Sequence, residues 1–178
     1  MGYDLKHSLA ATWVRFHSLP ESRRYPQDAD DCAEVLRRHV TVLKELSGED
    51  DPVLTVVTLA FSESFPTLDD PDPTLGQFTP GASYWRSFPT DVSEPWDSDV
   101  VWFNLFVSQT RLTDDKFAGV LMRVAVDDAD PVIVAAPDAV WLYHPYDGGA
   151  DVIAPDTSTR DALRAAHPNW LSRLPSGL

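Results

Sequence analysis

The densest group of side chains capable of acid–base chemistry lies near the C-terminus, in residues 141–153 (WLYHPYDGGADVI). Its candidate site residues are Tyr143, His144, Tyr146, Asp147 and Asp151. Strand alternation sends Tyr143 to one face and His144 to the other. A return strand after the Asp-Gly-Gly turn would bring Asp151 near His144 or Tyr146. A histidine beside a carboxylate is typical of a general base and its orienting group. The alternative is structural, with Asp147 capping its own turn and the aromatic rings packing.

A second candidate is the basic stretch 13–26 (WVRFHSLPESRRYP). Its candidate binding residues are Arg15, His17, Arg23, Arg24 and Tyr25. The forked donors of the three arginines suit a phosphate or a carboxylate of a ligand. Alternatively, the same arginines pair with acids from the middle of the chain, residues 49–151.

Metal and cofactor chemistry find little support in the sequence. The histidines are scattered, and none stands four residues from another histidine or a cysteine. The single cysteine, Cys32, excludes an internal disulfide and a thiolate metal cage. Phosphate-loop, dinucleotide-binding and nucleophile-elbow patterns are absent. We therefore expect neither a metal nor a cofactor.

The charge is negative and unevenly distributed. The chain has 14 Lys and Arg against 28 Asp and Glu, a formal net charge of -14. Seven acids and seven bases balance in residues 1–48, whereas residues 49–151 contain nineteen acids and only four bases. This charge disfavours nucleic acid and anionic membranes and favours a cationic partner. The alternative is a surface charged only for solubility.

The composition suits one globular domain, residues 1–178, without a membrane span. Hydrophobic residues make up 43% of the chain, and no apolar run reaches the length of a bilayer. The first residues lack the apolar core of a secretory signal. We therefore expect a soluble, cytoplasmic protein.

Hydrophobic periodicity and turn residues predict the elements that position these groups. The predicted helices are 5–16, 29–47, about 115–126 and about 157–166, with caps at Asp28, Thr113-Asp114 and Thr157 or Ser158. The predicted strands are 53–61, 99–107, 132–135, 139–143 and 150–154. Residues 62–82 read as a long acidic, proline-rich loop, and 83–98 as irregular. This pattern indicates an α+β fold with a mixed or mainly antiparallel sheet of about five strands, and three to four helices mainly on one face.

The hairpin with its sequel Arg160-Asp161-Ala162-Leu163, and the front segment 15–26, resemble an uncharacterised bacterial family, of actinobacterial type, known only as a domain of unknown function. Members of that family have a Tyr-Asp-Asp-Arg-Gly-type turn followed by Asp-Val/Ile-Ile. Gly148-Gly149 departs from this turn. The resemblance implies no cofactor, substrate or catalytic residue.

Two functions remain open. The first is a non-enzymatic binding protein, of inhibitor or immunity type, whose acidic surface meets a basic protein. The expected contacts lie in the loop 62–98, at Asp69, Asp70, Asp72, Tyr84, Trp85 and Trp96. The alternative is a small hydrolase or transferase, with the front arginines binding an anionic substrate and His144 with Asp147 or Asp151 moving protons. A small-ligand module with the tryptophan-rich loop as a lid is a third possibility.

Overall fold

The computed structural model describes residues 11–63, 75–89 and 101–172, which form one α+β unit. In chain order its helices and strands are β1 (Trp13–His17), α1 (Ala29–Ser47), β2 (Val53–Ser62), β3 (Ser83–Pro89), β4 (Trp102–Arg111), α2 (Asp115–Ala125), β5 (Val132–Ala135), β6 (Leu142–Tyr146), β7 (Gly149–Ile153) and α3 (Thr157–Ala166). The predicted α+β class is confirmed. The described sheet has seven strands instead of about five, and the described helices are three.

The strands form one sheet in the order β1-β7-β6-β5-β2-β4-β3, and every neighbouring pair is antiparallel. The longest pairing joins β2 to β4 over ten residues. At the opposite edge, β1 from the start of the chain lies beside β7 from near its end. This non-local contact brings the basic front segment onto the C-terminal hairpin.

The two faces of the sheet differ. On one face, Val14, Val56 and Val134 point into a buried core that also receives Phe117 and Leu163 from α2 and α3. The buried side of α1 packs into the same core. In the described part of the chain, all three helices therefore bury their apolar sides on this face, where their removal from water stabilises the fold.

Helix ends follow the chemistry of their caps. Asp28 accepts a hydrogen bond from the Asp31 backbone N–H at 2.9 Å, and Gly48 ends α1 with a left-handed backbone (φ 70°). Asp114 caps α2, as expected. The prediction for α3 was wrong by a residue, because Asp156 accepts from the Thr159 N–H at 2.7 Å. A carboxylate at the N-terminus of a helix also interacts more favourably with the helix dipole than a hydroxyl does.

The predicted helix 5–16 is wrong where the structure describes it, because residues 13–17 form β1. Residues 5–10 lie outside the described residues. The sequence WVRFH satisfies a helical stripe through Trp13 and Phe16 and also strand alternation. Pairing with β7 decides between them, since it buries Val14 and Phe16 on the core face.

The irregular structure expected for 83–98 is also wrong over Ser83–Pro89, which form the edge strand β3. A register shift between Tyr84 and Arg86 places a bulge at Trp85 and breaks the alternation that would identify a strand. Trp96 and residues 64–74, which include Asp69, Asp70 and Asp72, lie outside the described residues.

The hairpin strands are shifted from their predicted bounds. β6 occupies Leu142–Tyr146 and not 139–143, so Pro145 lies within a strand, opposite Ala150. β4 likewise continues to Arg111, past the predicted end at residue 107. The predicted alternation is confirmed, because Tyr143 is buried in the core while His144 pairs with Asp151 on the other face. None of the described helices is long and apolar enough to cross a membrane.

Gly149 is required by the close approach of β1, β6 and β7. A Cβ built there would overlap the backbone carbonyl oxygen of Phe16 and lie 2.9 Å from the Tyr146 hydroxyl. We expect Gly149→Ala to lower the free energy of unfolding by about 3 kcal/mol, measured by urea denaturation, because the backbone must move. Gly81→Ala is the control: its φ is 75°, but nothing lies within 4 Å. Backbone strain alone predicts a loss of about 1 kcal/mol there. Equal losses at the two positions would contradict the close-approach argument.

Candidate functional site

The centre of the candidate site is an ion pair between Arg15 on β1 and Asp151 on β7. These residues are direct cross-strand partners. Arg15 donates from Nε to Asp151 Oδ1 at 2.7 Å and from Nη2 to Oδ2 at 2.8 Å. The Asp151 side chain is 1% exposed. The hydrogen bonds from Arg15 to Asp151 raise the pKa of the arginine despite its burial. Both oxygens of this carboxylate are therefore occupied by a cation of the same chain.

His144 lies on the opposite side of Asp151, as its partner on β6. Burial lowers the pKa of His144, and Arg15 acts in the same direction against the favourable charge of Asp151. Its Nδ1 is buried and has no hydrogen-bond partner among the described residues. Both oxygens of Asp151 accept hydrogen bonds from Arg15, and no hydrogen bond joins this carboxylate to the imidazole of His144. The predicted proximity of His144 and Asp151 is thus present, but the geometry of a base and its orienting group is absent.

Tyr146 closes the cluster. Its ring passes over Gly149, where there is no side chain, and the Arg15 guanidinium carbon lies 5.1 Å from the ring centroid. Burial raises the pKa of Tyr146, so the phenol stays protonated at neutral pH. His17 occupies the same row of β1, opposite Gly149, and burial lowers its pKa as well. The site therefore holds one paired cation and neutral rings.

The turn of the hairpin makes a second contact with the front segment. Arg24 forms an ion pair with Asp147, and the Tyr25 hydroxyl donates to Asp147 Oδ2 at 2.9 Å. The hydrogen bond to Asp147 raises the pKa of Tyr25. Asp147 thus binds the front segment instead of only capping its own turn. The Arg24 side chain is 64% exposed, so this pair lies at the surface.

Arg23 does not join the hairpin. It forms two hydrogen bonds of 2.6 Å with Asp31 in the first turn of α1. The hydrogen bonds from Arg23 lower the pKa of Asp31. Each front arginine is therefore paired with a carboxylate of the chain. The expected pairing with acids of residues 49–151 is confirmed for Arg15 and Arg24, but it is wrong for Arg23, whose partner Asp31 lies in α1.

A buried polar network lies on the core face behind this cluster. His39 of α1 hydrogen-bonds through Nε2 to Ser18 Oγ at 3.0 Å and through Nδ1 to the Tyr143 hydroxyl at 2.5 Å. Burial lowers the pKa of His39 to about 4 and raises that of Tyr143. A neutral imidazole has one donor and one acceptor, so both nitrogens are satisfied. The adjacent cavity is only about 10 Å³, enough for one water molecule, which excludes a substrate.

An open apolar groove of about 570 Å³ lies on the sheet face opposite the helices. It is lined by β2, β4, β5 and β6, and Tyr84 and Trp85 of β3 contribute to its edge. His144, Asp147 and Asp151 do not line it. The predicted contacts Tyr84 and Trp85 are thus separate from the charged cluster. Within residues 11–63, 75–89 and 101–172, no three His, Cys, Asp or Glu side chains are grouped to hold a metal ion.

The family described as a domain of unknown function (DUF3885) matches residues 1–175. The chain belongs to the DUF3885 family. No curated protein and no solved structure matches it. The resemblance to a domain of unknown function is therefore confirmed. The family description names no activity.

Sequence reasoning missed Ser18 and the role of His39 in this DUF3885 chain. Ser18 is one polar residue in a segment predicted partly as helix, and nothing local marks it as buried. His39 had a usable signal, because it lies four residues after Val35 and four before Leu43 on the apolar stripe of α1. A histidine on such a stripe is buried, so it needs partners for both ring nitrogens.

Removing Arg15 leaves a buried carboxylate without its cation. We expect Arg15→Met to lower the free energy of unfolding by about 3 kcal/mol or more, measured by urea denaturation. Adding Asp151→Asn should restore part of that loss, because no unpaired charge then remains. Arg24→Met is the matched control, with a much smaller loss expected because its pair with Asp147 is at the surface. Strictly additive losses for the Arg15 and Asp151 substitutions would contradict the coupling.

The neutral His39 makes stability depend on pH. Its pKa is about 4 in the folded chain and about 6.5 when unfolded, so the unfolded chain binds more protons between these values. The contribution of the neutral His39 to the free energy of unfolding is fully present above pH 6.5. About 3 kcal/mol of it is lost as the pH falls from 6.5 to 4. His39→Gln should flatten the profile of unfolding free energy against pH. His17 and His144 remain as a common background in both proteins. An unchanged slope in the variant would refute this assignment.

Proposed function

We propose that the chain is a non-enzymatic protein-binding module, of inhibitor or immunity type, whose acidic surface meets a basic partner protein. The proposal rests on the ion pairs that the lysines and arginines of the chain form with its own carboxylates. In the described residues, carboxylates form ion pairs with Arg15, Arg23, Arg24, Arg37, Arg38, Lys44, Arg111, Arg123 and Arg160. The front segment is thereby neutralised by its own chain.

Internal pairing leaves the negative excess on the remaining carboxylates. With 28 acids and 14 bases, the chain keeps a net charge of -14 however its pairs are arranged. Exposed acids such as Asp30, Asp115 and Asp127 extend from several elements of the described structure. A field of this sign increases the encounter rate with cationic proteins and slows that with anionic ones.

One observation favours the enzyme alternative. The front segment and the hairpin do come together, since Arg15 contacts Asp151 and Arg24 contacts Asp147. Those same contacts weigh against catalysis. An anionic substrate would have to displace a carboxylate from each arginine, and the displaced Asp151 is buried. Leaving a buried carboxylate without its cation costs about 3–5 kcal/mol. We therefore favour binding over catalysis.

The test begins with affinity capture from a lysate of the encoding organism, followed by purification of the 1:1 complex. We expect a basic partner whose Kd rises about tenfold between 50 and 300 mM salt, measured by calorimetry, because screening weakens charge attraction. The variant Asp69→Asn/Asp70→Asn/Asp72→Asn should bind the partner more weakly than the unmodified chain and more weakly than its charge-matched control. Its control, Asp30→Asn/Glu49→Gln/Asp115→Asn, removes the same charge elsewhere. A salt-independent Kd, or a partner that is not basic, would overturn the proposal.

A further inference from the structure

The groove lies on the sheet face opposite the described helices, and it is apolar where an antiparallel sheet is normally polar. Its floor consists of Val57, Leu59, Leu105, Val107, Ile133 and Leu142. These side chains are in register, because Val57 is paired with Val107 on one side and with Ile133 on the other. An antiparallel sheet covered on one face usually alternates apolar and polar residues. β2 instead has apolar residues on both faces, with Leu54 and Val56 in the helical core.

The apolar surface continues beyond the groove along the same strands. Phe61 is 49% exposed and lies 5.0 Å, between ring centroids, from Phe103. Phe103 in turn stacks on Phe88 of the edge strand at 5.3 Å. Trp85, at the bulge of that strand, is 57% exposed. A continuous apolar surface of this kind typically marks an interaction site.

The loops that border the groove are acidic. Pro131, Pro137 and Ala139 line the groove. Asp130 and Asp138 are their neighbours in sequence and do not line it themselves. Asp138 is exposed. The nearby Arg86 lies over the Trp85 ring, with 6.0 Å between guanidinium carbon and ring centroid, so this indole already accepts a cation. The groove thus combines an apolar floor with an exposed carboxylate, Asp138, in a loop at its border, in a chain of net charge -14.

We propose that this groove holds a cationic amphipathic segment of the partner protein. Apolar side chains of the segment occupy the floor, and its lysines and arginines lie against the exposed Asp138. The inference rests on the proposed function, because it names the contact through which the basic partner is held. Charge complementarity at the rim favours this occupant over a second copy of the chain, which would bring the same carboxylates.

Defined peptides test the groove without the natural partner. The probe is a fluorescein-labelled amphipathic helix of leucine and lysine, about 18 residues or five turns long. One control peptide replaces lysine with glutamate, and the other replaces leucine with serine. We expect the leucine–lysine peptide to bind the full chain at least about tenfold more tightly than either control, measured by fluorescence anisotropy. Equal binding of the glutamate peptide would overturn the charge assignment.

Variants locate the binding. Val57→Lys places a charge in the floor, whereas Val126→Lys makes the same change at the exposed C-cap of α2. We expect about tenfold weaker peptide binding for the first and no change for the second. Trp85→Ala, at an exposed edge position, is the second groove variant in case Val57→Lys does not fold. Asp138→Asn should weaken binding of the cationic peptide but leave binding of the neutral probe N-phenyl-1-naphthylamine unaffected.

The remaining outcomes contradict the inference in distinct ways. Uptake of the neutral probe without peptide binding would assign the groove to a small apolar molecule. A dimer seen by sedimentation and lost in Trp85→Ala would assign it to a second copy. If the purified basic partner retains its affinity for the groove variants while its Kd still depends on salt, the groove assignment fails and the proposed function stands. A salt-independent Kd removes the proposed function itself.

Discussion

The antiparallel pairing of β1 with β7 is the contact on which the arrangement of the charged residues depends. It joins segments separated by most of the chain, and its loop-closure cost is met by ladder hydrogen bonds and burial. The pairing places Arg15 beside Asp151, and the missing side chain at Gly149 lets the strands approach. It also ends at Ser18, whose backbone N–H donates to the Gly148 carbonyl at 2.9 Å. Ser18 is thereby positioned to meet His39.

The same pairing determines what chemistry the cluster can perform. A guanidinium attracts an external anion when no internal carboxylate satisfies it. In this chain Arg15 is bound by both oxygens of a buried aspartate, and Arg24 is bound at the turn. The imidazole of His144 is next to that aspartate, yet burial favours its neutral form. Residues with the right types for acid–base work are therefore bound to one another where β1 meets the hairpin of β6 and β7.

Elements that depend on local patterns could be predicted from the sequence, whereas elements that depend on distant contacts could not. The helix at 29–47 was correct to the residue, since its cap, apolar stripe and terminal glycine are all local. β2 and β5 were also correct or nearly so, because their runs of β-branched residues favour only one state. The prediction for β1 failed because its five residues fit both the helical and the strand period. The prediction for β3 failed because a bulge interrupts its alternation. The nearness of His144 and Asp151 was predictable from the hairpin, but the competing Arg15 depends on a partner 136 residues away.

The sheet face that none of the described helices covers and the charge of the chain together restrict what can bind there. Apolar side chains in the groove gain free energy from any dry contact and do not discriminate between partners. The net charge of -14 supplies the discrimination, because it acts against nucleic acid, anionic lipid and another copy of the chain. Arg86 and the other cations near the surface are too few to reverse this field. An occupant that buries the groove without bringing more negative charge has to be neutral or positive, and a long apolar surface running to Phe61 favours an extended segment over a small molecule.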